Sequence, residues 1–269
     1  MKAYESQYAG QVLLPRIPVL CRLDGKAFHG FCKGLRKPYD ERLSELMVQT
    51  TQFLVEQTNA NCGYTQSDEI SLVWQTSDFN SEIFFGGRVL KMTSVLTSLT
   101  TWYFNTWLHT HIPEKGGTAA LFDARVWNVP LETEAANYFV WREKDATRNS
   151  ISMAAQSVCS HNQLHKKNSD EMQEMLFQRG INWNDYPDFF KRGTYVQKRT
   201  VVRLFTESEI DKLPPKHEAH TNPNLAIQRQ QVMRLPMMPI TRITNRTDVL
   251  LRGADPMVHM EVDLLKDES

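Results

Sequence analysis

Apolar and polar positions along this chain keep clear rhythms up to about Pro130 and then lose them. Residues 17–23, Ile-Pro-Val-Leu-Cys-Arg-Leu, are a short apolar, β-rich run between Pro15 and the Asp24-Gly25 step, which predicts a buried strand. From Asp40 to Glu56 the apolar positions Leu43, Leu46, Met47 and Leu54 keep helical spacing, with Pro38 where a helix entrance tolerates it. Residues 62–74 divide into two β-like halves around Ser67-Asp68-Glu69, a hairpin whose bend carries two acids. From Phe85 the residues Phe85, Val89, Met92, Leu96, Leu99 and Tyr103 step by four and three, the stripe of a long helix that starts near Gly86-Gly87. Residues 118–129 return to strand character. The order is β-α-β-β-α-β, so the expected class is α+β with a ferredoxin-like arrangement.

Beyond Pro130 the pattern predicts a helix over 150–165, a second over 169–180 with Ser169 in front and Gly180 behind, and a β-like run over 194–205. Stretches around Leu213-Pro214-Pro215 and Leu235-Pro236-Met237-Met238-Pro239 read as surface loops or an extended tail. The expected organisation is a catalytic domain over 1–130 and a helical and β extension over 131–269, packed as one unit. No repeat or low-complexity block stands out.

Composition narrows the setting. Hydrophobic residues are 41% and charged residues 23%, an ordinary globular balance, and no apolar run approaches the ~18 residues of a membrane span. Lys2 has no apolar segment behind it, and Cys21, Cys32, Cys62 and Cys159 form neither a metal-ligand spacing nor a disulfide framework, so the expected location is the cytoplasm. The 31 basic and 31 acidic residues cancel, which excludes nucleic-acid binding by bulk charge and leaves it to local patches. Lys191, Arg192, Lys198, Arg199 and Arg203 form one cluster and His165-Lys166-Lys167 another, each a phosphate-contacting patch or a solvated surface.

The candidate chemistry lies in the first half. A ferredoxin-like order makes the first and third strands central neighbours, which brings Asp24 and the hairpin acid Asp68 to one edge. Two carboxylates with the Gly25 carbonyl make a hard-oxygen cradle for Mg²⁺ with room for triphosphate oxygens. Asp24-Gly25 is equally the signature of a plain turn, and spacing alone leaves both readings open. Arg88 and Lys91, at i and i+3, suit one anion or form an ordinary exposed basic turn, and Lys37 stands as a phosphate hook beside a helix entrance or as a loop charge. Zinc lacks a believable partner set around His109-Thr110-His111 or His217 and His220.

The ordered segments RLDGKAFHGF, KPYDERL, GYTQSDEISLVW, FFGGRVLK and FDARV resemble the tRNA(His) guanylyltransferase family, specifically its archaeal and bacterial-type members that act as 3′-to-5′ RNA polymerases; the likeness spans residues 13 to about 150. The resemblance implies a polymerase-like palm that adds nucleotides to the 5′ end of tRNA after activating its 5′-monophosphate with ATP or GTP. It implies two Mg²⁺ ions held by Asp24, Gly25 and Asp68, with Glu69 the adjacent catalytic acid. It further implies nucleotide contacts from Lys26, Phe28, His29, Lys37, Asp40, Ser67, Arg88 and Lys91. Arg142 and Asn149 match its RNA-handling segment, and Lys191, Arg192 and Arg199 fit a tRNA-contacting face. A homo-oligomer, often a tetramer, is also expected.

One departure bears on specificity. Eukaryotic members carry a His in the segment after Trp-Arg, where this chain has Thr147 within WREKDATRNSIS. The expected activity is therefore template-dependent repair of 5′-truncated tRNA rather than guanylate addition confined to tRNA(His). Two rivals share parts of the pattern. A nucleotidyl cyclase has the same palm but requires a Gly-Gly-Asp/Glu hairpin, which is missing here. A non-catalytic RNA-binding module requires aromatics on the sheet face rather than acids at strand ends.

Overall fold

In the computed structural model, which describes residues 1–258, the strand alternation sorts side chains onto two differently covered faces of one sheet. The tail end of the expected extension, 259–269, lies outside the described residues. The first half runs α1 (Lys2–Ala9), β1 (Val19–Gly25), α2 (Phe28–Phe31), α3 (Glu41–Thr58), β2 (Cys62–Gln66), β3 (Glu69–Trp74), α4 (Val89–His111) and β4 (Phe122–Asn128). The second runs α5 (Glu132–Val158), α6 (His161–Leu164), α7 (Ser169–Phe177), α8 (Asp188–Arg192), β5 (Thr194–Leu204), α9 (Glu207–Ile210), β6 (Ala226–Arg234) and α10 (Arg246–Arg252). The sheet order is β4-β1-β3-β2-β5-β6, with every neighbouring pair antiparallel. Its first four strands have the ferredoxin-like order that the periodicity predicts.

One face meets α3 and α4. Val19, Cys21 and Leu23 of β1 and Ile70, Leu72 and Trp74 of β3 point to it and share a core with Met92, Leu96 and Phe104. The opposite face takes the alternate residues: Leu20 and Val73 pack with Tyr138 and Phe139 of α5 and with Leu250 and Leu251 of α10. Asp24 and Glu69 follow the parity of this second face, so the acids and α5 share one side of the sheet.

The structure corrects four sequence expectations. The helix expected over 150–165 begins at Glu132 and runs unbroken to Val158. Its buried stripe includes Arg142 and Glu143, each satisfied by its own distant partner, Glu69 for the first and the Tyr195 hydroxyl and Ile240 amide for the second, so hydropathy does not reveal it. The cap of α7 is Asn168, in a reciprocal box with Glu171, rather than Ser169. Phe85 precedes α4 rather than opening it, with φ of 52°, and the fully buried line is Met92, Leu96, Thr100, Phe104 and Leu108. Strand β6 falls between the two proline-rich stretches, and Ile240, Ile243 and Val249 beyond it are fully buried. The C-terminal stretch is thus anchored in the second core, with Gln197 of β5 donating to the Val249 and Leu250 carbonyls.

Candidate active site

Two carboxylates are drawn together at the end of β1. Asp24 stands in register opposite Glu69 of β3, and the Gly25 amide donates to the Asp68 carbonyl at 3.1 Å, which pulls the Ser67-Asp68 turn against the strand end. Burial and then the Asp24 charge push the Asp68 carboxyl above the ordinary carboxylate value, against the pull of its own amide and the Ser67 hydroxyl, whose Oγ lies 3.1 Å from Oδ1. Ser67 takes φ of 51°, the left-handed conformation of a tight turn between β2 and β3.

The donor set is two carboxylates and backbone carbonyl oxygen, and their mutual repulsion is unrelieved by any ion pair among the described residues. Hard oxygen donors of like charge fit Mg²⁺. No three His, Cys, Asp or Glu side chains converge among the described residues, so Asp24 and Asp68 would fill only part of a six-oxygen Mg²⁺ shell. Packing places its own demand on Gly25, beside the carbonyl that the position offers. A Cβ on Gly25 would lie 2.2 Å from the Phe28 ring, which packs directly beneath the strand end.

Beside the turn opens a cavity of about 370 Å³, which brings together His29, Lys37, Asp40 and Ser67. Asp68 lies close enough to Cys32 of its wall that burial, then the Asp68 charge, push that thiol up to about 11. Tyr39 and Phe190 form an aromatic wall with ring centres 4.7 Å apart, and Ala146, Ser150 and Met153 of α5 close the far side. Sequence reasoning missed this wall entirely. The sequence pattern predicts a helix only from residue 150, and nothing local in Tyr39 or Phe190 links residues so far apart in sequence.

Several expected nucleotide contacts take other places. Phe28 is a core residue, 4% exposed, packed edge-on to Phe104 and against Phe122 and Phe31, so it has no face to offer a base. Asp40 lines the cavity, but both its oxygens are occupied by the Arg36 and Arg42 amides and the Arg42 guanidinium, which holds its pKa down to about 2. It caps α3 and fixes the loop carrying Lys37. Lys26 is exposed, its amide bound to the Leu121 carbonyl. Arg88 and Lys91 are both exposed and gather around Phe85: Arg88 Nε donates to its carbonyl at 3.1 Å, and Lys91 Nζ lies 4.6 Å from its ring. The amides of Gly86 and Val89 are taken by the Ile83 and Gln11 carbonyls, so this turn offers cationic side chains more than free N–H groups.

The expected RNA contacts are largely committed inside the molecule. Lys191 is buried and donates to the Asn184 carbonyl at 2.6 Å, and Arg192 pairs with Asp188 at 2.5 Å. Arg199 reaches the Gly253 and Ala254 carbonyls. Of the five, Asn149 alone is exposed. Arg142 is buried and forms a two-pronged ion pair with Glu69, Nε to Oε1 at 2.6 Å and Nη2 to Oε2 at 2.8 Å, so neither side chain is free to meet a ligand. Burial pushes the Glu69 carboxyl above its ordinary value, with the guanidinium pulling back. No helix among the described residues is long and apolar enough to cross a membrane.

Comparison with known proteins matches the chain and its fold to one group. The family model described as Thg1, tRNAHis guanylyltransferase, covers residues 1–130. A bacterial tRNA(His) guanylyltransferase (Thg1)-like protein solved in complex with ATP superposes with a TM-score of 0.70 at 39% identity, over 74% of this chain and 85% of that one. A bacterial protein of the same description in complex with GTP gives 0.68 at 31% identity, over 90% and 92%. The tRNA(His) guanylyltransferase of Schizosaccharomyces pombe is 30% identical over 68% of this chain and 74% of its own length. The ordered motifs, the antiparallel palm and these matches agree: the chain belongs to the tRNA(His) guanylyltransferase family and is a nucleotidyltransferase.

Proposed function

We propose that this protein adds nucleotides to the 5′ end of tRNA in the 3′-to-5′ direction, restoring tRNAs that lack 5′ nucleotides by pairing each incoming base with the opposite strand. The observation that carries the reading is the Ser67-Asp68 turn, tied to the end of β1 by the Gly25 amide and adjoining a cavity that gathers His29, Lys37 and Ser67. The ATP and GTP complexes of the bacterial relatives support a nucleoside triphosphate as the small substrate.

Asp24, Asp68 and the Gly25 carbonyl would hold Mg²⁺, which supplies activation of an attacking hydroxyl and charge relief at the leaving phosphate. The chain's own groups do the remainder. The cavity admits the nucleoside between the Tyr39 and Phe190 wall and α5, Lys37 and His29 meet phosphate or ribose oxygens at its mouth, and Arg88 and Lys91 attract the triphosphate. Two events use the same edge: a 5′-phosphate oxygen of the tRNA attacks the α-phosphorus of ATP or GTP and releases pyrophosphate, and the 3′-hydroxyl of the incoming nucleotide then attacks the activated 5′-phosphorus and releases the nucleoside monophosphate.

Repair is favoured over tRNA(His)-restricted addition by Thr147. Its hydroxyl donates to the Glu143 carbonyl of its own helix at 3.1 Å, so position 147 presents no imidazole to an acceptor stem or anticodon. The deciding assay supplies 5′-monophosphorylated tRNAs lacking one or more 5′ nucleotides, with Mg²⁺, ATP and all four nucleotides, beside full-length tRNA(His). Template-matched extension of the truncated tRNAs, lost in Asp24→Ala and Asp68→Ala, is expected. Guanylate addition confined to full-length tRNA(His) overturns the repair reading and leaves the family.

A further inference from the structure

The acid next to Asp68 and the arginine of the expected RNA segment engage one another instead of a ligand. Glu69 gives both carboxylate oxygens to the Arg142 guanidinium, with side chains 9% and 5% exposed. The same guanidinium donates from Nη2 to Asp145 Oδ2 at 2.9 Å and lies 4.4 Å over the Trp141 ring. Asp145 is in turn held by Arg148 at 2.6 Å. A forked guanidinium held on three sides has one orientation, and a carboxylate bound through both oxygens inherits it.

Glu69 is bonded through its backbone as well. Its carbonyl accepts from the Thr65 hydroxyl at 2.9 Å, and the preceding carbonyl, of Asp68, accepts from Gly25 N. The turn that carries Asp68 is therefore fixed from β1 by the Gly25 amide, from β2 by Thr65, and from α5 by Arg142. Only the last tie crosses from the second half of the chain, a span of 73 residues.

We propose that Arg142 is a positioning residue: through Glu69 it locks the Ser67-Asp68 turn at the distance from Asp24 that metal binding needs, and it cancels a third negative charge beside the pair. This rests on the reading of Asp24 and Asp68 as metal carboxylates. It assigns Glu69 to the support of the site rather than to catalysis, and it removes Arg142 from the RNA contacts. Without the guanidinium, Glu69 faces Asp24 across the strand pair as an uncompensated charge.

The test uses the full chain and Mn²⁺ alone, without RNA or nucleotide, with bound ion followed from the loss of the free-ion paramagnetic resonance signal. Arg142→Lys keeps the charge and loses the fork. Groups that orient metal ligands typically carry about 10- to 100-fold in affinity or activity, so Mn²⁺ affinity and kcat should each fall by about tenfold or more while the KM for tRNA holds. Should Arg142→Lys fail to fold, Glu69→Gln with Arg142→Gln replaces the ion pair by two amides that bond one another, and the same loss of Mn²⁺ affinity is expected. Parent-like Mn²⁺ affinity in either folded variant, or a rise in the KM for tRNA with kcat and Mn²⁺ affinity unchanged, overturns the proposal. Asp24→Ala separates the two levels: Mn²⁺ binding that survives it overturns the metal reading and the clamp together, whereas binding lost there and intact in Arg142→Lys overturns the clamp alone.

Discussion

Gly25→Ala tests whether the end of β1 is shaped by packing. A Cβ there would stand 2.2, 2.7 and 2.8 Å from three atoms of the Phe28 ring, well inside contact distance. The ring has little room to yield: its centre lies 4.7 Å from that of Phe31, 5.5 Å from Phe122 and 5.8 Å from Phe104. Forcing one extra methyl into a packed site costs about 1–3 kcal/mol, and the stiffer unfolded chain returns about 0.4–1 kcal/mol of that, for a net loss of about 1–2 kcal/mol. Phe28→Ala by itself costs about 3–5 kcal/mol through the cavity it leaves. In that background the new methyl meets open space, so adding Gly25→Ala should be neutral or mildly stabilising. Urea unfolding of the four proteins measures the coupling, expected at about 1–3 kcal/mol in favour of the double variant over additivity. Equal destabilisation by Gly25→Ala in both backgrounds would refute the steric argument and return Gly25 to a purely backbone role.

Three further outcomes follow from particular contacts. Asp40→Asn should lower stability by about 1 kcal/mol through loss of the charged α3 cap. Because the folded Asp40 carboxyl is held down to about 2, its contribution is complete above the ordinary carboxylate pKa of 3.8 and fades as pH falls from there through about 2. The urea midpoint of Asp40→Asn should therefore depend less on pH across that window than the parent's, and an unchanged slope refutes the assignment. Ser71 and Tyr138 share a buried hydroxyl pair at 2.8 Å. Ser71→Ala strands the Tyr138 hydroxyl at about 1–3 kcal/mol, and Tyr138→Phe added to it should recover part of the loss; a further loss of the same size tells against the pairing. Arg88→Ala and Lys91→Ala remove exposed cations, so unfolding midpoints should hold while the KM for the nucleoside triphosphate rises about tenfold or more for each, as expected for charge-assisted bonds of about 1.5–3 kcal/mol. An unchanged KM places the triphosphate elsewhere.

How far the sequence exposes this architecture depends on whether burial there is apolar. β1 and β3 bury hydrocarbon on both faces and α3 on one, so they read directly from the apolar runs around residues 19–23 and 70–74 and from the spacing of Leu46 and Leu54. α5 buries Arg142 and Glu143 in its stripe, and each is tolerable only because a partner waits on another element: Glu69 for the first, the Tyr195 hydroxyl and the Ile240 amide for the second. Periodicity therefore breaks where the chain is most tightly coupled over long distances. β6 escapes for the opposite reason. It is an edge strand whose residues are nearly all solvent-facing, with Arg234 on its rim paired to Glu45 of α3, so alternation has little to report.

The same distinction governs the site. Asp24 and Asp68 were legible because a ferredoxin-like order dictates which strand ends meet, and topology alone carries them to one edge. Phe28 and Glu69 sit one or a few residues from those acids, and the family resemblance implies a share in the chemistry for both. Their surroundings decide otherwise: the Phe28 ring is enclosed by three other aromatics, and the Glu69 oxygens are both taken. A motif marks the neighbourhood of a reaction, while the division of labour within it depends on which polar atoms remain unpaired once the chain has folded. At this edge Asp24 and Asp68 have no ion-pair partner among the described residues, and burial followed by the Asp24 charge disfavours the ionised Asp68, a cost a cation would relieve.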